Sequence, residues 1–126
     1  MAKNAAKNAK GFAVVLAAAR SLPDVETTTT WGASALKVRG RLIACEAIHK
    51  SAEPNSIVVN VGMDQRAELI AAEPDVYYIT DHYVNYPSVL VRLSRINGDA
   101  LRDLLGMAWR FADTKKTKLR AGTPRR

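Results

Sequence analysis

The sequence predicts a two-layer α+β domain, an antiparallel sheet with helices on one face, in the order α-β-β-β-α-β-β-α. Three observations carry that prediction. Apolar residues alternate at period two in several short runs, and they recur at helical spacing in three other segments. The strand-like runs also follow one another through short turns instead of alternating strictly with helices. A chain of 126 residues, 48% hydrophobic and 25% charged, is long enough for one packed core and short for two.

The first helix is expected from about Lys10 to Arg20. Phe12, Val15, Leu16 and Ala19 fall at i, i+3, i+4 and i+7 and form one apolar stripe. Ser21-Leu22-Pro23 ends it, because the residue before proline avoids the helical region. Thr27 to Thr30 are four consecutive β-branched residues, which predicts an extended segment and a short extra strand near Trp31. Leu36 and Val38 alternate with Lys37 and Arg39, Gly40 supplies a turn, and Leu42-Ile43-Ala44-Cys45 returns as the second strand of a hairpin.

A loop over Ser51 to Asn55 leads to a third strand in which Ile57, Val59 and Val61 share a face. Asp64 is the expected cap of a short helix through Ala72, stopped by Pro74. Two further strands are expected over Val76 to Thr80 and Val89 to Ile96, joined by Asp81-His82-Tyr83-Val84-Asn85-Tyr86-Pro87-Ser88. The last helix opens at Asn97-Gly98-Asp99 with Asp99 as its cap. Leu101, Leu104, Leu105, Ala108 and Ala112 give it the strongest helical periodicity in the chain.

The net charge of +7 is unevenly placed. Residues 1–10 carry +3 and residues 113–126 carry +5, leaving −1 on the stretch between them. The sequence therefore reads as a basic leader over 1–10, one domain over 11–112, and a basic C-terminal tail over 113–126. That tail, polar, self-repelling and interrupted by Gly and Pro, is expected to be a flexible arm that is either solubilising or a nonspecific phosphate contact.

No apolar run approaches the ~20 residues of a membrane-spanning helix, and no secretory signal is read at the start. The single cysteine, Cys45, excludes an intramolecular disulfide framework and fits a reducing cytoplasm. It falls in an apolar strand, where an unpaired cysteine acts as an inert core filler. No HExxH, cysteine pair or glycine-rich phosphate loop is present, so neither a metal nor a cofactor is expected. Glu46 and His49 stand near a strand end, but at strand geometry an odd spacing points them to opposite faces. The group Asp81, His82, Tyr83, Asn85 and Tyr86 is the densest polar-aromatic cluster. It reads either as hairpin-tip packing or as loop recognition, and it lacks an identifiable nucleophile.

Taken in order, several of these landmarks resemble the MmcQ/YjbR family of small bacterial proteins. They are Leu22-Pro23-Asp24-Val25-Glu26, Gly32, the Leu36-Lys37-Val38-Arg39-Gly40-Arg41-Leu42 hairpin, Pro74-Asp75-Val76-Tyr77-Tyr78, and the closing strand and helix from Val89 to Ala112. The resemblance covers roughly residues 11–112. It implies a fold similar to type III secretion chaperones, and DNA binding through two hairpins acting as wings. One departure matters: family members commonly carry a tryptophan where this chain has Tyr86-Pro87, so no role of that tryptophan transfers.

On that reading the DNA contacts would be Lys37, Arg39, Arg41 and Lys50 around the first wing and Arg92 and Arg95 beside the second. Lys115, Lys116, Lys118 and Arg120 would contribute from the tail, with His82, Tyr83, Asn85 and Tyr86 as loop recognition residues. The alternative is a non-enzymatic protein-interaction module, chaperone-like or homodimeric. A near-neutral folded part is a weak footprint for a DNA-binding domain. The two readings separate on whether cations from different turns converge on one patch.

Overall fold

The computed structural model describes residues 11–30 and 32–122, with backbone alone from residue 114 onward. A first helix, α1, covers residues 11–18. It is followed by strands β1 (Val25–Thr30), β2 (Ala33–Val38), β3 (Arg41–Glu46) and β4 (Ser56–Asn60), then helix α2 (Met63–Ala72). Strand β5 (Tyr77–Tyr78), a 3-10 turn at Asp81–Tyr83, strand β6 (Ser88–Arg92) and helix α3 (Gly98–Gly122) complete the order. The six strands form one sheet in the order β1-β2-β3-β4-β6-β5, and every neighbouring pair is antiparallel. The predicted α+β class therefore stands, and the threonine run supplies the extra strand as β1.

All three helices pack on one face. Phe12 and Val15 of α1, Leu69 and Ile70 of α2, and Leu101, Leu104 and Leu105 of α3 join one core with strand residues that include Leu36, Ile43, Ile57 and Val89. The opposite face carries a much smaller cluster of Ala35, Cys45, Val58, Tyr83 and Leu90, with no α-helix over it among the described residues. Strand alternation makes this partition: in β6, Val89 and Val91 face the helices and Leu90 faces away.

A bulge adjusts the partition in β3. Leu36 pairs Ala44 while the next residue, Lys37, pairs Leu42, so Ile43 is the extra residue. Ile43 and Ala44 consequently both join the helix-side core, and Leu42 and Cys45 fall on the other face.

Local chemistry explains the turns. Arg39 and Gly40, the two loop residues between β2 and β3, have φ of 48° and 83°, the positive pair that a type I′ hairpin turn requires. Helix α2 is capped by Gly62 at φ 96° rather than by Asp64, which sits in the first turn. A side chain at that glycine would be strained, and its Cβ would lie 3.0 Å from the Phe111 ring. The cap of α3 is Asn97, whose Oδ1 accepts from the Ala100 N–H at 2.8 Å, so Asp99 is again a first-turn acid and not the cap.

Two expected strands are shorter than read. Residues after Tyr78 leave the ladder, and Leu93 begins a turn closed by Arg95 N–H to Arg92 O. The helix expected to stop at Ala112 continues to Gly122, since no glycine or proline interrupts Thr114 to Ala121 and lysine, arginine and alanine are good helix formers. The leader (1–10), Trp31 and residues 123–126 lie outside the described residues, as do the side chains of Lys115, Lys116, Lys118 and Arg120.

Candidate binding groove

The helix-free face holds a groove of about 810 Å³. Leu42, Cys45 and Val58 from the central strands lie along it, and Thr30 and Ala33 stand at the β1–β2 end. Two chain segments supply the walls: Ile48, His49 and Lys50 after β3, and His82, Tyr83, Tyr86 and Pro87 before β6. That volume lies within the range of pockets for small ligands or short segments, and its mixture of apolar surface and a few polar groups is typical of such sites. A second pocket, of about 210 Å³ between Gly11, Asn55, Leu93 and Gly98, is smaller and lies on the α1 and α3 side.

The two walls are tied to each other and to the sheet. The rings of His49 and His82 stack with centroids 3.5 Å apart, and Tyr83 meets both rings edge-on. Ser51 Oγ and Thr80 Oγ1 are 2.8 Å apart. The Tyr78 hydroxyl accepts from the Glu53 N–H at 2.8 Å and bonds Ser56 Oγ at 2.7 Å. Arg66, reaching over from α2, donates to the carbonyls of Val84 at 3.2 Å and Tyr86 at 2.8 Å. Arg66 was not legible as a site residue, because its partners are loop carbonyls 18 and 20 residues away. Asn60 bridges Leu42 O and the Ser88 hydroxyl at the groove floor.

Burial, assisted by the neighbouring Glu46, pushes the Cys45 thiol up to about 11, so it is not a nucleophile at neutral pH. Burial also raises the Tyr83 phenol. His49 is held below its usual range by burial first, then by the positive neighbours His82 and Lys50. Its Nδ1 accepts from the Ser51 N–H at 3.0 Å, which places the proton of the neutral ring on Nε2.

Several sequence expectations change against this geometry. Glu46 and His49 do not diverge, since β3 ends at Glu46 and the chain then bends, bringing both to the groove. Glu46 is occupied by the Ser34 N–H at 2.9 Å, and no cluster of three or more candidate metal ligands exists among the described residues. The second hairpin is not a projecting wing: its connection folds back over the helix-free face and buries Tyr83. Asn85 and Tyr86 remain exposed beside it, and His82 is exposed with its ring on His49.

The expected DNA contacts are separated and partly engaged. Arg39 donates to Asp24 at 3.0 Å and to Asp113, and its guanidinium lies 5.8 Å from the Trp109 ring centroid. Arg92 holds both carboxylate oxygens of Glu53 at 2.7 Å, donates to the carbonyls of Pro74 and Asp75, and stacks 4.2 Å over Tyr78. The Glu53 carboxyl is accordingly held below its ordinary range, chiefly by that hydrogen bond. Arg39 and Arg41 stand at the β2–β3 tip. The register carries Glu46, Ile57 and Val91 across the far end of the sheet, where Arg92 and the exposed Arg95 lie. Lys37 is half-buried on β2, and Lys50 is exposed at the groove rim.

Comparison with known proteins gives a consistent picture. The YjbR family model matches residues 20–111. The uncharacterized proteins Rv2570 of Mycobacterium tuberculosis and Mb2600 of Mycobacterium bovis are each 40% identical over 62 residues. That match covers 47% of this chain and 48% of each relative, so the chain spans about half the length of the curated relatives it matches. The crystal structure of Deinococcus radiodurans protein DR2400, described as a DUF419 domain, superposes with a TM-score of 0.60 at 21% identity, covering 75% of this chain and 72% of that one. This likeness concerns the fold.

Proposed function

The chain belongs to the YjbR family, and from that premise we propose that it is a non-enzymatic binding module whose helix-free sheet face receives an apolar segment of a partner polypeptide. One observation carries the reading. Ile48 is 59% and Tyr86 55% exposed, and both of these large apolar side chains line the groove. Exposed apolar surface gathered in one concavity and rimmed by polar groups marks an interaction site, whereas scattered exposed residues do not. Apolar side chains of the segment would enter against Leu42, Val58 and Tyr86, each fully buried anchor contributing about 1.5–3 kcal/mol before the cost of association. Lys50, His82 and the remaining Glu46 oxygen would meet its polar groups.

Several features argue against a reaction at the same place. The Cys45 thiol stays protonated, and the Ser51 hydroxyl, 2.8 Å from His49 Nδ1, is also held 2.8 Å from Thr80 Oγ1 and shares that ring nitrogen with the Ser51 N–H. A cytoplasmic setting accords with one unpaired, buried cysteine. No described helix is long and apolar enough to cross a membrane.

DNA binding is the second reading, and charge favours it. The net +7 includes six cations after Asp113, and the helix backbone bearing the first four of them continues to Gly122. Such contacts would be to phosphates and strongly salt-dependent. The test uses the full chain and two probes, an anilinonaphthalene sulfonate dye for the groove and a labelled DNA duplex. Ile48→Glu with Tyr86→Ser is expected to abolish dye binding while leaving the fold intact. Duplex binding that survives these changes and falls with Arg39→Ala plus Arg41→Ala would replace the groove reading with the wing reading.

A further inference from the structure

The outer edge of the sheet is β1, and the phase of its ladder fixes which backbone groups face outward. Thr30 and Ala33 flank a two-residue loop, so they form a mutually hydrogen-bonded pair, and such pairs alternate along an antiparallel ladder. Glu26, Thr28 and Thr30 thus turn their N–H and C=O groups to β2, while Val25, Thr27 and Thr29 turn theirs to the open edge. An independent contact confirms the phase. The N–H of Ser34, the residue opposite Thr29, donates to Glu46 on the β3 side and so points away from β1.

Beyond the single charge of Glu26, this edge has none of the usual protections. It is six residues long, contains no proline or lysine, and runs in unbroken register from Val25↔Val38 to Thr30↔Ala33. Thr27 and Thr29 are exposed, and among the described residues no backbone hydrogen bond reaches the outward groups.

We propose that two copies of this chain join through β1, antiparallel, about a twofold axis at Thr27, making one continuous sheet. This register pairs Thr27 with its own copy and Val25 with Thr29 in both directions, which satisfies every outward backbone group of the strand. A centre at Thr28 would instead set Val25 opposite residue 31, beyond the strand end. The charge pattern is self-compatible. Glu26 meets Thr28 of the second copy and not another carboxylate, and its own cross-strand neighbour is Lys37. A foreign strand could use the same groups, but the match of this strand to itself commits the edge to a second copy. Because the axis stands perpendicular to the sheet, the helices of both copies lie on one side and both grooves open on the other. A partner with two apolar segments would then bind with avidity. Edge pairing alone buries little surface, so the association is weak and concentration-dependent.

The full chain carrying Thr27→Cys tests the register directly. Directly opposed, mutually hydrogen-bonded residues have Cα atoms about 5.5 Å apart, within disulfide range, and the buried Cys45 does not compete. Mild oxidation is expected to trap a covalent dimer far faster than in Val14→Cys, whose residue is likewise exposed on α1. Thr27→Pro removes an outward N–H that the monomer does not use, so the fold persists. It should raise the dimer dissociation constant by at least ~30-fold in sedimentation equilibrium, from two lost hydrogen bonds. A wild-type chain that stays monomeric through the concentration series overturns the proposal, as does Thr27→Cys cross-linking no faster than the α1 control. Should the proline variant misfold, the cysteine pair still decides the matter.

Discussion

Arg39→Ala removes a side chain that joins three distant parts of the chain. The guanidinium bridges Asp24 before β1 and Asp113 in α3 and lies against Trp109, whose indole N–H donates to Pro23 O at 2.9 Å. Each partly exposed ion pair contributes about 0.2–1 kcal/mol and the ring contact about 0.5 kcal/mol, so the loss is about 1–2 kcal/mol. For a domain of this size that lowers the melting temperature by roughly 5–10 °C. Arg39→Asn loses the same contacts but suits the positive φ of 48° better than alanine or arginine does. It should therefore recover about 0.5–1 kcal/mol relative to Arg39→Ala. The assay is urea unfolding at low and high salt, with the gap between wild type and Arg39→Ala narrowing at high salt. If Arg39→Ala unfolds at the wild-type urea midpoint while losing duplex affinity, the arginine is a phosphate contact and the ion-pair account is wrong.

Leu105 is fully buried between α3 and the sheet, and Leu105→Ala should cost about 2–5 kcal/mol in urea unfolding; a loss below about 1 kcal/mol would show that α3 is not packed as described. With its thiol pushed up to about 11, Cys45 should resist alkylation at pH 8 in the native chain and react promptly in denaturant; native labelling at the denatured rate would contradict its burial. His49 is held below the ordinary histidine value of about 6.5, so the unfolded chain takes up the proton first. Its neutral ring thus supports the fold fully above about 6.5, and that support fades as pH falls through the window just below. An NMR midpoint above 6.5 for His49 would refute this, and His49→Gln should flatten the pH dependence.

The elements were legible where one local rule dominates. Leucines at helical spacing mark α3, four β-branched threonines mark β1, and the glycine after Arg39 marks the turn of the β2–β3 hairpin. Caps were misread because aspartate suits both the cap and the first turn. Asn97 and Gly62 take the cap by backbone conformation, which residue type does not reveal.

The bulge at Ile43 is silent in an apolar run, so the face of Cys45 could not be assigned beforehand. The groove itself depends on contacts distant in sequence. His49 meets His82 only because the connection before β6 folds over the bare face, and Arg39 finds Asp113, 74 residues away, only once α3 crosses the sheet. Charge counting placed cations on turns but could not show that carboxylates answer two of them.

The account stands on the helix-free face being the contact surface. Amide shifts of the full chain, mapped by NMR during titration with an apolar naphthalene probe, test it most directly. The expected changes cluster at Leu42, Cys45, Val58, His82 and Tyr86 and disappear in the Ile48→Glu, Tyr86→Ser variant. Changes centred on Gly11, Leu93 and Gly98, or a folded chain that does not respond to the probe, would contradict it.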